Sequence, residues 1–94
     1  MSYIFEIVDK SKRKIYLSEE RWKHIKLEHP EIIEPFEIER VITKPDKILT
    51  SDRDETVGWY FLYNKRRKEY LKVSVKYLNG TGFVITAHHT SKIQ

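Results

Sequence analysis

Residues 70–90 read YLKVSVKYLNGTGFVITAHHT. Two alternating runs flank Asn79–Gly82, and a glycine-containing break of this kind is a strong β-hairpin signal. Leu71, Val73, Val75 and Tyr77 alternate with Tyr70, Lys72, Ser74 and Lys76; past the turn, Phe83, Ile85 and Ala87 alternate with Val84, Thr86 and His88. The register of this hairpin decides which residues share a face, because directly opposed residues lie on the same side of a sheet. If the two apolar sets both face a core, Leu78 opposes Gly82 and Asn79–Thr81 form a three-residue loop. A two-residue loop would set Thr86 opposite Val73 and mix the faces. The expected outer patch is therefore Lys72, Ser74, Lys76, Thr86 and His88, with Thr90 and Lys92 beyond it.

Upstream, Val57, Trp59, Phe61 and Tyr63 alternate and suggest a strand whose core face carries these four residues. Tyr60 and Tyr70 are then the outward aromatics. Asn64–Lys68 (NKRRK) forms a basic hairpin tip, and residues 47–50 (KILT) give a short strand before it. Residues 3–9 and Ile15–Leu17 suggest a small N-terminal hairpin around a polar turn at Lys10–Arg13.

Two helices are expected between them. Ser18 suits an N-cap, Glu19 and Glu20 suit the first turn, and Leu17 with Trp22 fits a hydrophobic staple. Pro30 should end this helix by His29. Pro35 opens a second helix whose apolar face is Phe36, Ile38, Val41 and Ile42, closed by Lys44-Pro45. The short EIIE connection makes the helices neighbours. The predicted fold is α+β: a short N-terminal hairpin, then two helices on an antiparallel sheet of about four strands. Residues 1–94 form a single domain.

Composition narrows the function classes. The chain has 94 residues, 34% charged, 39% hydrophobic and 13% aromatic, which excludes a disordered tail. No apolar run reaches the roughly 20 residues a membrane span needs, and there is no leader-like pattern. We therefore expect a cytoplasmic protein with no membrane partner. The absence of cysteine removes disulfides, thiolate metal sites and a cysteine nucleophile. Residues 1–47 balance ten Lys/Arg against ten Asp/Glu, whereas residues 48–94 carry eight against four. The net charge of +4 thus belongs to the sheet half and favours an anionic partner.

Histidine is the side chain left to titrate near neutral pH. His88 and His89 are adjacent on a strand and point to opposite faces. His24 and His29 lie about 140° apart around a helix, poor geometry for joint metal binding. No metal and no cofactor are expected. Cleavage of RNA without a metal needs a base for the 2′-hydroxyl, an acid for the leaving oxygen and cations for the phosphate. His, Lys, Ser and Thr on one sheet face can supply all of these. Each helix histidine also has an ordinary reading, His24 as a solvated residue and His29 as a dipole-favoured helix end. The NKRRK tip can grip a phosphate backbone or simply protect the sheet edge.

The runs SEERWKHI (18–25), His29-Pro30-Glu31, Val41-Ile42, Lys44-Pro45-Asp46 and FVITAHHT (83–90) resemble small nuclease domains of the barnase–EndoU–colicin–RelE-like group, and look most like its phage-associated members. The resemblance implies a metal-independent endoribonuclease, often a toxin or effector restrained by an antitoxin or inhibitor protein. It places His24, His29, Thr86 and His88 at the catalytic positions, and the expected acid–base pair is His24 with His88, while Lys72, Thr86 and Lys92 contact the phosphate. Lys72, Lys76, Ser74, Thr90, Lys92, Arg66 and Arg67 are the candidate phosphate and RNA contacts. The group's sheet carboxylate has no counterpart on the expected outer face, which favours histidine as base or a binder without activity. A catalytic model requires the His24 or His29 ring within about 8 Å of His88, Thr86 or Lys72. The alternative is a non-catalytic RNA- or protein-binding domain using the same basic face.

Overall fold

The computed structural model describes residues 2–94. Ser18 ends one element and starts the next. It closes β2 (Lys14–Ser18), and its hydroxyl accepts the Arg21 N–H at 3.1 Å to cap α1 (Glu19–Glu28). α2 (Pro35–Thr43) starts with a capping box, in which the Glu37 carboxylate accepts the Ile33 and Glu34 N–H groups at 2.8 and 3.1 Å. The other strands are β1 (Tyr3–Val8), β3 (Lys47–Thr50), β4 (Val57–Asn64), β5 (Glu69–Leu78) and β6 (Thr81–Thr90).

The α+β class is as expected, but the sheet is larger. Six strands run in the order β1-β2-β6-β5-β4-β3. The N-terminal hairpin does not stand apart: β2 pairs parallel with β6 through Lys14↔Thr81, Ile15↔Gly82 and Tyr16↔Phe83. The expected four antiparallel strands thus become a mixed sheet of six. The physical reason is the β6 edge, whose unpaired N–H and C=O groups need cover. β2 covers its first residues, and α1, which begins where β2 ends, packs beside it.

Both helices lie on one sheet face. Trp22 and Ile25 of α1, with Ile38, Val41 and Ile42 of α2, meet Tyr60, Leu71, Val73, Val75, Val84 and Ala87. Each fully buried aliphatic side chain stabilises by about 1.5–3 kcal/mol.

Two expectations about facing are corrected. On β4 the core residue is Tyr60, while Trp59 and Phe61 oppose Ser74 and Lys72 and so lie on the other face. Both sides of this strand are apolar, so alternation alone does not choose between them. On β6, Val84 is in the core and Phe83 opposes Lys76 on the outer side. The turn has two residues, Asn79 and Gly80, both in the left-handed region at φ 53° and 82°. A two-residue loop of this hand matches the strand twist. A bulge at Ile85 then restores the register, so that Ser74 opposes Thr86 and Lys72 opposes His88.

Candidate active site

His29 is the C-cap of α1, its N–H bonded to the Ile25 carbonyl at 2.7 Å. Pro30 prevents the helix from continuing, and the turn carries Glu31 back toward β6. The Glu31 carboxylate lies 3.3 Å from His89 Nδ1 and 3.7 Å from His29 Nδ1. Burial pushes the Glu31 carboxyl up, but its own N–H, the His89 bond and the charges of both imidazoles outweigh this and hold it low.

His88 projects on the face away from the core, opposite Lys72. Its ring centroid is 5.8 Å from that of His29. Among the described residues the edge of β6 beyond Phe83 has no strand partner, which lets the end of α1 approach it. Burial pushes the His88 pKa down, and the Lys72, His29 and His89 charges add to this against a smaller opposing effect of Glu31. His89 is on the core side opposite Leu71; its side chain is 4% exposed and its Nε2 has no hydrogen-bond partner.

Lys72 is held in an aromatic setting. Its Nζ is 3.9 Å from the Trp59 ring centroid and 5.7 Å from that of Phe61, and it donates to the Gln94 carbonyl at 2.9 Å. Burial lowers its pKa. Trp59 thus lies on the outer side with Lys72 over its ring, whereas Phe61, on the same side of the sheet, is fully buried, as its alternation suggested, but away from the helices.

The remaining residues divide. Thr86 opposes the buried Ser74, and Thr90 donates to the Lys92 carbonyl at 3.2 Å. Lys76 is tied to Asp54 at 2.7 Å, a bond that, with those from Thr56, drives the Asp54 carboxyl far below its usual range. Arg67 pairs with Glu69 at 3.5 Å, whereas Arg66 stays at the hairpin tip. His24 is not gathered with this cluster: its side chain is 57% exposed and lies 4.0 Å from Glu20. The helix histidine brought to His88 is His29. Glu31 was given no role from sequence, although its place two residues after a helix-ending histidine marks it. Among the described residues, no three His, Asp or Glu side chains converge closely enough to hold a metal ion, and no helix is long and apolar enough to cross a membrane.

No family model matches this chain, and no curated protein or solved structure matches it significantly.

Proposed function

We propose that the protein is a small metal-independent endoribonuclease whose acid–base pair is His29 and His88. The carrying observation is their 5.8 Å ring separation at the free edge of β6. His88, kept neutral by burial and the Lys72 charge, takes the 2′-hydroxyl proton. His29, oriented by Glu31, donates a proton to the leaving 5′-oxygen. The 2′-oxygen attacks the phosphorus, the P–O5′ bond breaks, and a cyclic phosphate remains. Lys72 and Thr86 face the same side as His88 and are the nearest candidates to steady the phosphate. The resemblance to the barnase–EndoU–colicin–RelE-like group supports this reading, and with it a toxin or effector role under an inhibitor protein.

The test is cleavage of mixed RNA in EDTA. Wild-type protein should give product, and a His29→Ala/His88→Ala variant should not; equal cleavage by both would overturn the assignment. The second reading, a non-catalytic RNA- or protein-binding domain, is favoured by the engagement of Lys72 with Gln94 and Lys76 with Asp54. Salt-sensitive RNA retention without product would select it. Co-purification of a small protein, with no RNA bound, would select a protein partner.

A further inference from the structure

A groove of about 510 Å³ opens between α2 and the β4–β5 hairpin. Its floor is apolar, with Val41 and Leu71 buried there. Two large aromatics stand exposed at its sides, Phe36 at 57% and Tyr63 at 43%. Arg40, Lys65 and Arg66 line it as well, and among the described residues none of the three forms an ion pair. Glu37 is the single acidic residue in the lining, and its carboxylate is occupied by the Ile33 and Glu34 N–H groups. The loop that presents Lys65 and Arg66 is fixed by Asn64, whose side-chain oxygen accepts the Arg66 and Arg67 N–H groups at 3.0 and 3.2 Å.

We infer that this groove holds one unpaired base of a single-stranded RNA, with Phe36 and Tyr63 as the stacking surfaces and Arg40, Lys65 and Arg66 on the flanking phosphates. The inference rests on the RNA reading above and adds a second contact point to it. Exposed aromatics among cations are the means by which single strands are bound without dependence on sequence. The uninterrupted run Lys65–Lys68 suits a polyanion better than it suits a peptide with a few acidic side chains. Leu71, on the groove floor, directly opposes His89 on β6. The groove and the histidine pair therefore lie at the same end of the sheet, the groove on the helix side and His88 on the other face. Tyr70, edge-on to Tyr63 at 5.2 Å, lies beside Lys72 on the strand between them. A strand that reaches both sites must therefore pass over Tyr63 and Tyr70 at this end of the sheet, and a base inside a duplex cannot enter the groove.

The test uses a fluorescein-labelled 2′-O-methyl-oligouridine, which has no free 2′-hydroxyl and cannot be cleaved. Its anisotropy is followed with full-length protein at rising salt. Phe36→Ala should weaken binding about tenfold and leave the salt slope unchanged. Arg40→Gln and Arg66→Gln should each weaken binding and reduce the log–log slope by about 0.7. The His29→Ala/His88→Ala variant should keep most of the affinity, and the same sequence in a duplex should bind less tightly. Circular dichroism of each variant confirms folding; Phe36 is exposed, and Phe36→Leu gives a second change at that site that keeps its apolar bulk but removes the ring. Unchanged affinity in Phe36→Ala and Arg40→Gln overturns the proposal. So does displacement of the oligonucleotide from the groove by an equimolar acidic peptide, such as phenylalanine-containing oligoglutamate, which would reassign the surface to a protein partner. Loss of groove binding with cleavage intact leaves the histidine pair standing. Groove binding without cleavage removes the nuclease reading alone.

Discussion

The Tyr60 hydroxyl donates to the Asp9 carboxylate at 2.8 Å, tying the middle of β4 to the turn after β1. Asp9 is 5% exposed and takes further bonds from the Ser11 and Arg13 N–H groups, both at 2.9 Å. The Arg13 guanidinium lies 3.3 Å from the same carboxylate and 4.1 Å from the Tyr77 ring centroid, and the Tyr77 hydroxyl meets that of Tyr60. One acid thus joins the N-terminal hairpin to the far half of the sheet. Asp9→Ala leaves these donors without an acceptor and should cost about 3 kcal/mol in chemical denaturation. Tyr60→Phe should cost about 1 kcal/mol, since Asp9 keeps its other bonds. A loss below about 0.5 kcal/mol for Asp9→Ala, within the range of ordinary surface changes, would show that the network is not a fastening.

The same acid sets an acid-stability limb. Burial pushes the Asp9 carboxyl up, but the Arg13 N–H, the Tyr60 hydroxyl, the Arg13 charge and the Ser11 N–H together hold it below its ordinary value. The folded state then binds fewer protons than the unfolded state. This contribution is present above the unfolded carboxylate value, roughly pH 4, and is lost as pH falls through the lower folded value. Asp9→Asn should flatten this limb in urea midpoints measured against pH. An unchanged limb would assign it to other carboxylates.

An alkaline limb has the opposite sign. Burial, then bonding to Tyr77 and Asp9, raises the Tyr60 pKa far above its usual value, and burial raises that of Tyr77. The folded state now holds protons that the unfolded state releases. Stability is complete below the unfolded tyrosine value near pH 10 and falls as pH rises beyond it. Melting temperature should therefore decline from about pH 10, less steeply in Tyr60→Phe. Equal slopes in the two proteins would remove Tyr60 from the account.

The helices were legible because their signals are local: Ser18 caps, Pro30 stops and Pro35 starts. The partnership of β2 with β6 was not, since nothing near Lys14 or Thr81 encodes a pairing across most of the chain. The facing of β4 failed for a different reason. Tyr60 belongs inside because its hydroxyl reaches Asp9, a distant residue that alternation does not see. The candidate site was half visible. His88 stands on the open face beside Lys72 and Thr86 as expected, but through a two-residue turn offset by the bulge at Ile85 rather than through the expected alternation of β6. The choice of His29 over His24 depended on how α1 meets the free edge of β6, which only the assembled fold reveals.

Lys72 gives a direct check on the electrostatics of that site. Its charge is the second cause, after burial, of the lowered His88 pKa. Lys72→Met removes the charge but keeps an apolar stem over Trp59. The His88 ring protons, followed by NMR, should titrate at higher pH than in the wild type. They should still fall short of the ordinary value near 6.5, because burial persists. If cleavage is detected, its acid limb should move up in parallel, since a base acts only when unprotonated. A fall in the His88 titration, or none, would show that Lys72 does not act on His88 through its charge.

The bulge at Ile85 can be separated from the register it accompanies. Val75 opposes Val84, and Ser74 opposes Thr86, so Ile85 is the unmatched residue. Deleting it makes those two pairs consecutive while Val84 stays inward and Thr86 outward. The sheet should therefore survive, with a loss of about 1–2 kcal/mol from the packing of one half-buried side chain. What the deletion removes is the local bend and added twist that a bulge imparts. That bend lies between Phe83, where β6 leaves β2, and His88, where it meets the end of α1. The variant should remain folded by circular dichroism yet lose the ring-to-ring NMR contact between His29 and His88. Retention of that contact would mean that α1 packing alone aims His88, and the bulge would then be only the geometric consequence of a two-residue turn.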